Sequence, residues 1–321
     1  MADANVSRIG QVNQAGDELS LFLKKFSGEV MSIFNNKTVT DGKHQTRSLS
    51  SGKSAQFPMV GGIDAEYHTP GAQLTGLNVN HAERVISIDG LLVSHAFLAQ
   101  IDEAMNHYEV RAPYAKQMGT TIANKYDLYL LKEIIKGARA SAVVDDGDGG
   151  TVIEDSNLGS STTSTKVDAI VTALFDAATA LDEKNAPEER FVALKPNDYN
   201  LLVKEAQSNG FSAIHKDYGG QGSIATGTIM ELAGINILKS NQVPQTDTSS
   251  SDTYHGVDAS TTIGTVWTPE AVGAVKLIDL ASEAEWDISR QGYLMLSKMA
   301  AGFGWLRPEC CVELRDGDPT V

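Results

Sequence analysis

Met118, Ile122, Tyr126, Leu130 and Ile134 recur at every fourth position, with Leu128, Leu131 and Ile135 beside them, between Pro113 and Gly137. Apolar residues at i, i+4 and i+8 return to one helix face, proline is tolerated in a first helical turn, and glycine often follows a last one. The pattern predicts a long helix from Pro113 to Lys136 that buries a broad face, with Gly137 as its C-cap. Residues 17–35 carry Leu19, Leu21, Phe22, Leu23, Phe26, Val30, Met31 and Phe34 at mostly helical spacing behind Asp17 and Glu18, which predicts an amphipathic helix. His95 to Tyr108 reads as a further helix, and Lys166–Lys184 and Pro196–Ala206 as two more.

Elsewhere alternation replaces the helical period. Phe57–Val60 and Arg84–Leu92 read as strands on either side of a Gly- and Pro-punctuated span, Gly61–Asn80, and so predict a long hairpin. A two-stranded ribbon is marginal in water, and this one holds too few apolar residues for a core of its own. It should lie on something else, either the body of its own subunit or a neighbour. "RFVALK", "GINILKS", "GTVWT" and "GAVKLIDL" read as strands, and Ala284–Leu314 alternates like long sheet strands. Residues 36–56 read as an extended arm, 140–165 with "DDGDGG" and "GSSTTST" as a low-complexity polar loop, and "QTDTSSSDTYHGVDAS" as a loop tip. The expected class is α+β.

Composition narrows the function classes. The 321 residues, 41% hydrophobic, suit one large domain or two modest ones. No run reaches the ~20 apolar residues of a membrane span. The start "ADANVSRIGQVNQAGDE" lacks a basic, apolar leader, so a soluble, unexported chain is expected. Adjacent Cys310 and Cys311 are the only cysteines, and a bridge between neighbours is strained, so a reducing compartment and two small half-buried hydrophobes are expected. Residues 1–140 hold 14 basic and 14 acidic groups, whereas 141–321 hold 12 and 27, which is the whole net charge of −15. Such a surface repels phosphate backbones, and there is no basic stripe with interleaved aromatics, so specific nucleic-acid binding is not expected.

Motifs for catalysis fail on spacing. Gly52-Lys53-Ser54 matches the end of a phosphate-binding loop, but the first glycine of that motif falls on Arg47, and Pro58 follows where a helix should open. Asp146 and Asp148 hint at a calcium loop, yet Gly150 and Thr151 stand where an oxygen ligand and a glycine are needed. His44, His68, His81, His95, His107, His215 and His255 show no metal-ligand spacing, and no G-x-S-x-G elbow occurs. Glu188-Glu189 and Asp102-Glu103 fit solvated faces. No catalytic, cofactor or metal residue is assigned.

The strings "GDELSLFLKKFSGEV", "RSLSSGKSAQFPMVG", "VISIDGLL", "DEAMNHYEVRAPY" and "GWLRPE" resemble the major capsid proteins of short-tailed podoviruses of the autographivirus kind. The resemblance is dense from about residue 16 to 120, diffuse from 140 to 260, and returns in part through "AVGAVKLIDLA". It implies the tailed-phage (HK97-type) capsid fold, with residues 1–50 as N-terminal arm, 51–92 as extended hairpin loop, 93–165 as peripheral domain with a spine helix, 166–263 as axial domain, and 264–321 as the peripheral sheet. Lys53, Gln56, Phe57, Pro58, Tyr67 and Pro70 become candidate inter-subunit contacts. The function implied is structural: hexamers and pentamers closing an icosahedral head around double-stranded DNA. Implied partners are further copies of the chain, a separate scaffolding protein, a portal protein at one vertex and decoration or minor capsid proteins, with no membrane. The implied place is the virion, after assembly in the host cytoplasm, and no isopeptide cross-link is implied for Lys43 or Lys53. The rival readings are a nanocompartment shell of the same fold and a nucleotide- or metal-dependent enzyme.

Overall fold

The computed structural model describes residues 38–63, 65, 67, 68, 70, 71, 73, 76, 79–101, 111–145, 147–208 and 231–317. The helix expected over residues 17–35 lies outside the described residues. In chain order the elements are β1 (Gln45–Ser48), β2 (Ser54–Val60), β3 (His81–Ser87), β4 (Leu92–Ala99), α1 (Arg111–Ala138), β5 (Thr151–Glu154), α2 (Thr163–Glu183), β6 (Phe191–Leu194), α3 (Pro196–Ser208), β7 (Glu231–Leu232), β8 (Ile235–Lys239), β9 (Thr262–Trp267), β10 (Val272–Asp287), β11 (Gly292–Trp305) and β12 (Cys311–Arg315). They pair as a six-stranded sheet β5-β12-β9-β6-β8-β7, a four-stranded sheet β1-β10-β11-β4, and the ribbon β2-β3.

The larger of two compact units holds the described residues of Val39–Asp89, Lys125–Leu277 and Ala301–Val321. Val167, Ile170, Val171, Leu174, Ala177 and Leu181 give α2 one apolar stripe, as i, i+3, i+4 spacing requires. That stripe meets Val192 and Leu194 of β6, Val266 of β9, and Val312 and Leu314 of β12. Each fully buried aliphatic side chain there contributes ~1.5–3 kcal/mol. β6 is buried at every residue and runs parallel to β8, so a crossover is needed between them, and α3 lies within it. β5 arises inside the span read as a polar loop: Thr151–Glu154 runs parallel to Val312–Arg315. Thr151, Val152 and Ile153 are strand-favouring residues within that polar span, and their backbone groups find partners on β12.

The smaller unit holds Thr38 and the described residues of Gly90–Asn124 and Ile278–Ala300. Here β4 pairs antiparallel with β11, from Leu92↔Met299 to Ala99↔Gly292. This corrects the helix expected from His95: the chain stays extended to Ala99 and turns helical only at Gln100. Helix propensities differ by tenths of a kcal/mol per residue, and eight cross-strand pairs outweigh them. Ser282 of β10 and Ser297 of β11 share a hydrogen bond of 3.0 Å, and the Ser297 hydroxyl donates to the Met118 sulfur at 3.8 Å.

The predicted long helix is α1, and Met118, Ile122, Tyr126, Leu130 and Ile134 are all buried. Gly137 does not cap it. It lies within the last turn, where a Cβ would meet Cys311 Sγ at 2.7 Å and Trp305 Cβ at 3.0 Å. Glycine is there because β11 and β12 approach the helix closely, not because the chain leaves it.

Candidate assembly surface

β2 and β3 pair antiparallel from Ser54↔Ser87 to Val60↔His81. Along β2, burial alternates strictly: Ala55, Phe57 and Met59 turn inward, while Ser54, Gln56, Pro58 and Val60 face solvent. With Ile86 of β3, the inward residues join Val275 of β10 and Leu306, flanked by Leu49, Ile88, Val143 and Val144. Of the two supports expected for the ribbon, its root takes the body of its own subunit. The seat is shaped by glycine, since a Cβ on Gly304 would lie 2.9 Å from Ile86 Cγ1, and one on Gly302 would lie 2.1 Å from the Ser87 carbonyl oxygen.

Beyond the root no such cover exists among the described residues. Ile63 is 71% exposed and Tyr67 fully exposed, and Pro70 is exposed as well. Five of the six candidate contacts, Lys53, Gln56, Pro58, Tyr67 and Pro70, therefore face outward. Phe57 is turned the other way, 7% exposed, with the Arg47 guanidinium 4.6 Å from its ring centre. Arg47 Nη1 also donates to the Gln56 carbonyl at 2.6 Å, tying the arm to β2. Gly52-Lys53-Ser54 runs straight into β2 with Gly52 at φ +117°, so no helix N-terminus follows to cradle a phosphate.

The arm next to the hairpin is anchored too. The Thr40 hydroxyl donates to Asp127 Oδ1 at 2.6 Å, and Trp267 Nε1 donates to the Lys43 carbonyl at 2.9 Å. His44 Nδ1 lies 2.9 Å from the Thr40 carbonyl, an acceptor, so that nitrogen carries the proton and Nε2 accepts from the Tyr126 hydroxyl at 2.7 Å. Burial holds His44 below the usual histidine range, and burial likewise raises Asp127 despite its hydrogen bonds.

Behind the hairpin root stands a charged cluster that no sequence spacing announced. His255 Nε2 is 2.7 Å from Asp89 Oδ2, just past β3, and Nδ1 is 2.9 Å from Glu133 Oε1 on α1. Glu133 also accepts from Lys136 Nζ at 2.7 Å, and Lys132 Nζ donates to Asp252 Oδ2 at 2.7 Å. Burial alone would push the imidazolium down, but the two carboxylates more than reverse that and raise His255 to about 9. An imidazolium has no lone pair for a metal, and both its N–H groups are committed. Among the described residues no group of three or more His, Cys, Asp or Glu could hold a metal ion. Burial pushes the Cys310 thiol up to about 11 and Cys311 well above its ordinary value, so neither is an activated nucleophile. The cluster fastens chain segments and leaves no group aimed at a substrate.

A sequence profile of the Gp10A-like major capsid proteins matches residues 56–315. The chain belongs to this family. The capsid protein is 33% identical over 315 residues to the major capsid protein of Escherichia phage T7, covering 92% of this chain and 91% of that one. Its structure resembles the capsid of cyanophage P-SCSP1u with a TM-score of 0.76 and 40% identity, covering 98% of this chain and 99% of the other. It also resembles the mature capsid of bacteriophage PhiM1, TM-score 0.71 at 18% identity over 87% and 86% of the two chains, a likeness of fold alone. The fold is the HK97-like α+β capsid fold, and the family is structural rather than enzymatic. This agrees with the family resemblance carried by the sequence strings.

Proposed function

We propose that this capsid protein closes as hexamers and pentamers into an icosahedral head around double-stranded DNA, with the hairpin tip as its main reach onto a neighbour. The observation that carries the reading is the split character of the hairpin: a root packed into its own subunit and a tip with Ile63 and Tyr67 bare. Exposed apolar side chains such as Ile63 and Tyr67 are accounted for when a second copy covers them. Residues 1–50 then act as arm, 51–92 as extended loop, 93–165 and 264–321 as peripheral domain, and 166–263 as axial domain. Lys53, Gln56, Pro58, Tyr67 and Pro70 touch the neighbour, and Phe57 holds the loop in place for them. A scaffolding protein guides assembly in the host cytoplasm, a portal occupies one vertex, and decoration proteins can follow in the virion. The acidic balance after residue 140 leaves subunits with negligible affinity for duplex DNA.

The test is to replace Gly62–Asn80 by a short turn. The variant keeps parental circular dichroism and melting temperature as a soluble subunit, while electron microscopy of the co-expressed product shows no closed shells. Shells as abundant as the parent's would overturn the interface reading, and an unfolded variant would place the tip in its own subunit's core.

A further inference from the structure

The hairpin root is held by more than apolar packing. Asp89 follows β3 by two residues, and its backbone N–H donates to the Ala301 carbonyl at 3.2 Å while its carboxylate turns to His255. His255 is set by a tightly wound loop: Asp247 and Asp258 form a bridge, Thr248 N donates to the Val257 carbonyl at 3.0 Å, and Asp252 Oδ1 accepts from the N–H groups of Tyr254 and His255 at 3.2 Å. Val257 and Ala259 of the same loop pack on Ile135 of α1. Three segments distant in sequence thus meet on one ring that is 2% exposed.

The two carboxylates on that ring are not equivalent. Glu133 accepts a second hydrogen bond from Lys136 Nζ, whereas Asp89 Oδ2 is met by His255 Nε2. A doubly protonated ring donates to both, and a neutral ring donates to one only. When one N–H is lost, the carboxylate with another cation at hand tolerates burial and the other does not. The groups facing the ring are Tyr129, whose ring centre is 4.8 Å away, Glu133 with Lys136, and Lys132 with Asp252, while Phe303 of β11 adds an uncharged edge at 5.6 Å. Arg84 of β3 lies close enough to feel Glu133. None of these cations takes over Asp89 in the observed geometry.

We propose that His255 is a proton-controlled latch on the root of the hairpin, holding Asp89 and Glu133 together while doubly protonated and releasing Asp89 when it loses a proton. The device is separate from the tip contact above, since it governs how firmly each subunit holds its own loop. Its raised pKa of about 9 keeps the latch closed at neutral pH. An alkaline shift therefore loosens β3 and Asp89 first and leaves the Glu133–Lys136 side of α1 in place.

The experiment is hydrogen exchange of the full-length soluble subunit between pH 6 and 10.5, corrected for intrinsic rates and followed by mass spectrometry. In the parent, protection of peptides covering residues 81–89 falls at least tenfold around pH 9, while peptides covering 130–138 change little. In Asp89→Asn that alkaline step is absent and the root is equally protected, or equally loose, at all pH values. In Glu133→Gln, which keeps Asp89, the step remains but moves to lower pH. A parent without the step, or Asp89→Asn retaining it, would overturn the proposal. Carbon-13 histidine shifts give a second readout: a His255 midpoint near 6.5 would do the same without any variant.

Discussion

Arg139 holds Glu313 through two guanidinium N–H bonds, Nε to Oε2 and Nη2 to Oε1, each 2.6 Å. The Glu313 carboxylate is wholly buried, the Thr262 hydroxyl bonds to it as well, and the hydrogen bonds to Glu313 raise the Arg139 pKa further. This pair fastens the exit of α1 to β12, 174 residues away. Arg139→Met leaves a buried charge unpaired and should cost ~3–5 kcal/mol, read as a fall in the urea midpoint. Arg139→Met with Glu313→Leu removes both charges and should recover most of that loss. A double variant no better than the single one would show that packing, not the stranded charge, sets the cost.

The glycine seat under the hairpin makes a sharp contrast. Gly302→Ala places a methyl 2.1 Å from the Ser87 carbonyl oxygen, so the backbone must shift, whereas nothing lies within 4 Å of a Cβ on Gly62. The first change should lower subunit stability by ~1–3 kcal/mol and make the Gly61–Asn80 span more sensitive to limited proteolysis. Gly62→Ala should change neither reading.

Phe57 and Tyr67 belong to one hairpin and should behave oppositely. Phe57→Ala empties a buried site and should cost ~3–5 kcal/mol of subunit stability by urea unfolding. Tyr67→Ala removes a fully exposed ring and should leave subunit stability within ~0.5 kcal/mol, while reducing the yield of shells counted by electron microscopy.

Two histidines bound the stability of the subunit from opposite sides. His255 has a folded pKa raised from 6.5 to about 9, so its contribution is complete below pH 6.5 and is lost as pH rises to about 9. At 1.36 kcal/mol per unit that is ~3 kcal/mol. His44 is held below 6.5 by burial, so its contribution is present above pH 6.5 and is lost as pH falls through its lowered folded value. Urea midpoints should therefore be highest near pH 6.5. They should fall on both sides, with Asp89→Asn flattening the alkaline limb and His44→Gln the limb just below pH 6.5.

Local pattern was enough for much of this molecule. The four-residue ridge from Met118 to Ile134, the stripe of α2 and the alternation in β2 follow from which face of an element meets water, and that is written in consecutive residues. Family membership was legible as well, because strings such as "RSLSSGKSAQFPMVG" carry far more information than a short motif. The tertiary structure decided the rest. Leu92–Ala99 became a strand because β11 supplies a ladder, β5 formed in a polar loop because β12 does the same, and Gly137 stayed helical because Cys311 and Trp305 crowd it. Phe57 turned inward because Val275 and Leu306 were there to receive it. Asp89, Glu133 and His255 became one charged unit although 44 and 122 residues separate them in the chain. The energy of a buried ion pair depends on distance in space and on exclusion of water, and neither quantity exists until the chain has folded.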